Sequence, residues 1–187
     1  MDKEFATFIE KLKNQEIELY NEFGLQFELA IYLRNLNRLA NWNIDLERPI
    51  GHFGVKKSSQ IPKKEIDICV YNKVTTEKYA IEIKFSKHGQ VPLQMFEFCK
   101  DICFLEQLRF KGFTSCYSLV IVDRNDFFEA KREMEGIYEY FRGEKLISGI
   151  VVCPTGNKKD SEIYIEKEYK HDFKELTDKY FYSLVKI

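Results

Sequence analysis

Asp67, Glu82 and Lys84 are ionisable residues inside apolar runs of the sequence, where an ionised side chain is costly to bury. Successive side chains of a β-strand point to opposite faces, so Glu82 and Lys84 share one face while Ile81 and Ile83 lie on the other. The same alternation places Asp67 opposite the branched aliphatic residues of its own strand. Two neighbouring strands can therefore point all three charged side chains at one spot.

Two carboxylates and an ammonium group in one place suit the hydrolysis of a phosphodiester bond. That reaction needs charge neutralisation at the phosphate and a nucleophilic water, and Mg²⁺ held by one or two carboxylates supplies both. We expect Asp67, Glu82 and the backbone carbonyl of Ile83 to bind Mg²⁺, with Mn²⁺ as a substitute. Lys84 would orient and help deprotonate the attacking water, or stabilise the developing charge. The alternative is a solvated ion pair between Glu82 and Lys84 that contributes less than ~1 kcal/mol.

The elements that must position these residues are visible in the spacing of apolar side chains. Recurrence at three and four residues predicts one helix within 16–40 and another over 91–110. Period-two patterns and one continuous apolar run predict four strands, at 42–50, 65–71, 78–85 and 117–122. The order helix, three strands, helix, strand predicts an α/β (α+β) fold with a central mixed sheet flanked by helices.

The tail of the sequence extends this core. The patterns predict a helix from about 124 to 140, a strand pair at 147–153 and 162–166, and a last helix that carries Phe173, Leu176, Tyr180 and Leu184. A length of 187 residues is typical of one domain. We therefore expect a single domain over 1–187, with a core at about 19–123 and a C-terminal elaboration at about 124–187.

Asp67, followed fifteen residues later by Glu82-Ile83-Lys84 in a strand between two helices, resembles the PD-(D/E)XK nuclease superfamily. The resemblance covers roughly 19–123 and implies the restriction-endonuclease-like fold with its αβββαβ core. It implies that this aspartate is the first acid of the motif and that the three-residue string is its E-x-K. The proline of the motif is displaced, because Ile66 directly precedes the aspartate and Pro62 lies further back.

The resemblance also implies an acidic residue on the first helix, and the sequence offers two. Glu22 projects onto the apolar stripe of that helix, whereas Glu28 lies at the edge of the stripe and nearer the next strand. Both stay candidates, and we expect one of them to be structural. On the second helix, Gln94 begins a Gln-x-x-x-Phe step with Phe98 that is similar to a Q-x-x-x-Y step of some members.

A basic loop precedes the strand of Asp67 and carries Lys56, Lys57, Lys63 and Lys64. Ammonium groups in that position would contact phosphates near the site, so we expect nucleic acid, DNA above all, as the partner. The alternative is a solvated loop without a role.

The string 80–112 resembles a family of uncharacterised bacterial proteins within the same superfamily. Members of the superfamily include active nucleases and degenerate copies, and the fold alone does not fix the function. The first hypothesis is a Mg²⁺-dependent nuclease. The second is a non-catalytic module that binds nucleic acid or protein, in a defence or phage-derived system.

Composition narrows the class of protein. The 29 basic residues balance 30 acidic ones, which argues against a histone-like polycation and leaves any anionic partner to local charge. Apolar runs are far shorter than the ~20 residues of a membrane span, so we expect no membrane partner. The amino terminus lacks a signal-peptide pattern and the five cysteines form no C-x-x-C pair, so we expect a cytoplasmic protein with reduced thiols. Exposed edge strands would also permit a homodimer.

Overall fold

The computed structural model describes residues 1–56, 61, 63–87, 89–129, 134–157 and 159–187. Its α-helices, in chain order, are α1 (Asp2–Lys13), α2 (Glu22–Arg34), α3 (Val91–Phe110) and α4 (Ile137–Arg142). Its strands are β1 (Asn43–Pro49), β2 (Glu65–Tyr71), β3 (Lys78–Ser86), β4 (Ser115–Val122), β5 (Ile147–Val152), β6 (Glu162–Tyr169), β7 (Lys174–Thr177) and β8 (Tyr180–Lys186).

A mixed six-stranded sheet forms the centre of the fold, in the order β1-β2-β3-β4-β8-β7. Neighbouring strands of this sheet are antiparallel except β3 and β4, which run parallel and are joined through α3. A separate antiparallel pair is formed by β5 and β6. The predicted α+β class with helices on a central mixed sheet is confirmed, and α2-β1-β2-β3-α3-β4 follows the predicted αβββαβ order.

Helices cover the two faces of the sheet. Ile81, Ile83 and Phe85 of β3 point into the core under α1 and α2. The opposite side of β3 carries Ala80, which packs under α3. Glu82 and Lys84 belong to this second face by the alternation of the strand, so they lie between the sheet and α3.

Of the first two helices, only α2 falls within a helix predicted from the sequence. It predicted nothing over α1, whose Phe5 and Phe8 are fully buried against the sheet. The helix predicted within 16–40 is shorter than that range, because α2 begins after Asn21 and ends before Asn35. The side chain of Asn21 accepts a hydrogen bond of 2.7 Å from the backbone N–H of Gly24 and so caps the helix.

The predicted last helix is wrong, since its residues form the hairpin β7–β8. Leu176, Tyr180 and Leu184 recur every four residues, a spacing that suits a helix but also keeps even-numbered residues on one face of a strand. Tyr180 and Leu184 pack on the α1/α2 side of the sheet, whereas Phe181 and Val185 pack on the other side. Because β8 lies between β4 and β7 with both faces covered, it has no polar face for the sequence to show.

In the rest of the C-terminal part, the predicted strands are confirmed and the predicted helix is not. The strand pair β5–β6 is confirmed, with β6 extending to Tyr169. The helix predicted over 124–140 is mostly wrong, because Asn125–Phe127 form a short 3-10 turn and α4 begins only at Ile137; residues 130–133 lie outside the described residues. The pair is fixed to α3 by the buried carboxylate of Glu106, which accepts three hydrogen bonds from β6.

The longest helix, α3, has 20 residues and mixes buried apolar side chains with charged ones. In the described part of the chain no helix is both long and apolar enough to cross a membrane.

The C-terminal core contains a buried histidine. His171 is 2% exposed and shares a hydrogen bond of 3.0 Å with Ser183 through Nδ1. Its ring lies among those of Phe98, Phe141 and Phe173, with the Phe141 ring stacked 5.5 Å away. Burial lowers the pKa of His171 to about 3, so the ring is neutral in the folded protein at neutral pH.

We predict that His171 makes the protein sensitive to acid. Its pKa in the folded state is below the ordinary value of 6.5, so the unfolded state binds more protons as the pH falls below 6.5. The free energy of unfolding should therefore fall by up to ~1.4 kcal/mol per pH unit between about pH 6 and pH 4 from this group alone. In His171→Gln that part of the slope should be lost, as measured by urea titration at several pH values.

The matched control is His52→Gln, which removes an exposed histidine. Equal pH slopes in the wild type and in His171→Gln would contradict the assignment.

Candidate functional site

The candidate site lies where the strands β2 and β3 stop pairing. The paired register ends at Ile68 and Ile81, and the next pair of residues across the two strands is Asp67 and Glu82. The backbone N–H of Ile83 donates to Oδ2 of Asp67 at 2.8 Å, and the N–H of Asp67 donates to Oε1 of Glu82 at 3.3 Å. Side-chain carboxylates thus replace backbone carbonyls as acceptors, so each carboxylate is tied to the strand opposite its own.

A third carboxylate continues this row onto β1. The pairs on either side of Glu47 place it opposite Asp67, because Leu46 faces Ile68 and Arg48 faces Ile66. Glu47 has a positive φ of 50°, which is uncommon for a residue other than glycine. Burial and the neighbouring charge of Asp67 raise the pKa of Glu47. Glu47 was not among the predicted site residues, although its alternation with Ile44 and Leu46 in the sequence is a signal for the polar face of a strand.

A fourth carboxylate reaches the site from α3. Asp101 is 1% exposed, and its carboxylate faces the sheet. Sequence reasoning missed it, but a signal was present. Gln94, Phe98, Asp101 and Leu105 follow one another at helical spacing, so an acidic residue stood on the stripe of α3 that faces the sheet.

Lys63 lies among these carboxylates. Its Nζ forms ion pairs with Oε2 of Glu82 and, at 2.7 Å, with Oδ1 of Asp101. Its side chain is only 22% exposed. Lys63 was predicted to contact phosphates as part of the basic loop, and the structure instead places its ammonium group among the carboxylates of the site.

The other lysines of the basic loop do not join the site in the described structure. Lys56 and Lys64 are exposed, whereas Lys57 lies outside the described residues. The backbone carbonyl of Lys64 accepts a hydrogen bond of 2.9 Å from the N–H of Ile50, which fixes the chain just before β2.

Lys84 and Glu22 complete the group. The Nζ of Lys84 donates to Oε1 of Glu22 at 3.2 Å and to the carbonyl of Ile83 at 3.1 Å, and it lies 3.7 Å from Oδ2 of Asp101. The other oxygen of Glu22 accepts from the N–H of Phe85 at 3.1 Å. Of the two candidate acids on α2, the structure therefore brings Glu22 to the site.

Two further candidates are placed away from this centre. Glu28 is half-buried on α2, and no described hydrogen bond or ion pair joins it to the other site residues. Gln94 lies in the first turn of α3 with its amide against Gly89, where a Cβ atom would be only 3.1 Å from Nε2. Phe98, the aromatic residue of the predicted step, is fully buried in the core.

The electrostatics of the site are dominated by surplus negative charge. Burial raises the pKa of Glu82 well above its usual range, and the charges of Asp67 and Asp101 raise it further against the opposing effect of Lys63. Burial likewise raises the pKa of Asp67. Burial alone would lower the pKa of Lys63 and Lys84, but the surrounding carboxylates outweigh it and raise both. Both lysines are therefore charged at neutral pH.

The donor atoms fit a hard divalent cation in kind. Asp67, Glu82 and Asp101 offer carboxylate oxygens, and neither oxygen of Asp101 makes a well-directed hydrogen bond within the described chain. Such oxygens are the ligands that Mg²⁺ prefers. Among the described residues, however, no three acidic, histidine or cysteine side chains are already arranged around a common metal position. The Lys63 ammonium group lies between two of the carboxylates instead.

Comparison of the chain with protein-family models, with curated proteins and with solved structures finds no match.

Proposed function

We propose that the chain is a Mg²⁺-dependent nuclease that hydrolyses phosphodiester bonds in DNA. The observation that carries the proposal is the convergence of Asp67, Glu82, Lys84 and Glu22 at one end of the sheet. The resemblance of the sequence to the PD-(D/E)XK superfamily implies these residue types on these elements. A buried site that is rich in oxygen atoms and carries surplus negative charge suits a hard cation and phosphate chemistry.

Two side chains would hold the metal ion. Asp67 and Glu82 present their carboxylates from adjacent strands, and the carbonyl of Ile83, the residue after Glu82, accepts a hydrogen bond from Lys84. Bound Mg²⁺ would neutralise charge at the phosphate and supply a nucleophilic water. The hydrogen bonds from the backbone N–H groups fix the orientation of both carboxylates before any ion binds, which lowers the entropy lost on binding.

Lys84 would act as a cation rather than as a base. The carboxylates around it raise its pKa, so it holds its proton near neutral pH and cannot accept another from water. An ammonium group fixed beside the metal position stabilises negative charge that develops on the phosphate in the transition state. Glu22 positions it, since it contacts both Nζ of Lys84 and the backbone of the next residue.

The exposed lysines Lys56 and Lys64 would contact phosphates of the nucleic acid outside the cleavage site. Both precede β2, the strand that carries Asp67. Contacts of this kind are independent of base sequence and weaken as salt releases the counterions.

The second candidate function, a non-catalytic binding module, is favoured by one observation. Lys63 already neutralises part of the charge of Glu82 and Asp101, as a cation supplied by the protein itself. A site that is permanently closed in this way would keep the fold and lose the chemistry.

We predict that Asp67→Asn weakens both metal binding and cleavage. The amide can still accept the hydrogen bond from Ile83, but it removes the negative charge that holds the ion. Mn²⁺ affinity by calorimetry should fall about tenfold or more, and cleavage of a panel of DNA and RNA substrates should fall about a hundredfold or more.

Asp45→Asn is the matched control, since Asp45 lies on β1 and contacts Arg48 and Tyr71 rather than the site. Undiminished metal-dependent cleavage by Asp67→Asn would rule out the proposed role of this carboxylate.

We also predict that Lys84→Met separates catalysis from metal binding. The rate of the chemical step should fall about a hundredfold or more, because a cation that acts mainly on the transition state is lost. Mn²⁺ should still bind, as measured by calorimetry. Lys87→Met serves as control, because Lys87 contacts the backbone of Tyr20 outside the site. A Lys84→Met enzyme of wild-type kcat would contradict the assigned role.

A further inference from the structure

The Lys63 ammonium group occupies a position that would also suit a metal cation. It forms ion pairs with Glu82 and Asp101, and the charge of Asp67 also acts on it. Carboxylates of β3 and α3 thus pair with one positive charge, and the carboxylate of Asp67 on β2 acts on it electrostatically. A divalent ion held by Asp67 and Glu82 would bind the same carboxylate of Glu82.

The ammonium group of Lys63 and a divalent ion would compete for the carboxylate of Glu82. Lys84 differs, because its Nζ pairs with Glu22 and Asp101 and not with Glu82. Repulsion between Lys63 and the ion, in a site where screening is weak, adds to the competition. The surplus of carboxylates favours the ion of higher charge, whereas the covalent tether favours the lysine.

Lys63 has a route out of the site. Its side chain is partly exposed at 22%, and a lysine stem has four rotatable bonds. On the C-terminal side of Lys63, the carbonyl of Lys64 accepts a hydrogen bond from Ile50, which fixes the chain there. Rotation of the side chain would bring the ammonium group toward solvent.

We propose that Lys63 is an internal counter-ion that competes with the divalent metal for Glu82 and Asp101. The proposal rests on the proposed function and adds to it a residue that sets the metal affinity of the site. With the lysine in place, the free protein binds metal weakly and its carboxylates stay compensated. When metal binds, Lys63 moves out toward solvent.

The test compares Mn²⁺ binding to the wild type and to Lys63→Met by calorimetry. Methionine keeps most of the apolar stem and removes the charge. Mn²⁺ should bind Lys63→Met about tenfold more tightly or better, because the ion no longer displaces a buried ion pair. Lys73→Met, which removes an exposed charge from the turn between β2 and β3, should bind as the wild type does.

The outcomes separate the inference from the proposed function. Equal affinity of the wild type and Lys63→Met, with both saturable, would overturn the competition and leave the metal site standing. Loss of binding in Lys63→Met with binding in the wild type would overturn the competition too. No binding to either folded protein would overturn the proposed function, and the inference with it.

A measurement on the wild type covers the case in which Lys63→Met does not fold. An amine-reactive reagent followed by mass spectrometry reports the accessibility of each lysine. Saturating Mg²⁺ should increase labelling of Lys63 about severalfold, while Lys64 is labelled equally with and without the ion. Labelling of Lys63 that Mg²⁺ leaves unchanged, under conditions where calorimetry detects binding, would overturn the inference.

Discussion

The charge of Glu82 has to be compensated inside the protein, and the surrounding structure depends on that constraint. The carboxylate is wholly buried between a sheet and a helix, where an unpaired charge would destabilise the fold by several kcal/mol. Its neighbours Asp67 and Asp101 worsen the problem, since both carry the same sign. The charge of Glu82 is compensated by the backbone N–H of Asp67 and by the ammonium group of Lys63.

The same constraint explains why the site is suited to chemistry. Carboxylates that are held rigidly in a buried place, and that outnumber the two lysines beside them, offer the oxygen ligands that suit a hard cation. Because the pairing of β2 with β3 ends here, backbone N–H groups are available to orient the carboxylates. Two helices complete the site: α3 contributes Asp101 and α2 contributes Glu22, and both carboxylates pair with Lys84.

Sequence patterns predicted those features that depend on the spacing of residues within one helix or strand. The bounds of β2 and α3 and the shared face of Glu82 and Lys84 follow from periodicity within one element, and they agree with the structure. Lys63 and Asp101 could not be placed in this way, because their partners lie on other elements and a basic loop looks the same whether its lysine points outward or inward. The strand β8 was mistaken for part of a helix for a related reason, since burial of both of its faces removed the alternation.

The most direct test of the account is a crystal of the protein soaked in Mn²⁺ and measured at a wavelength where manganese scatters anomalously. The account predicts one anomalous peak about 2.1 Å from carboxylate oxygens of Asp67 and Glu82, with the Lys63 ammonium group turned away from the site. It would be contradicted by a site without a peak at saturating Mn²⁺, in which Lys63 still bridges Glu82 and Asp101.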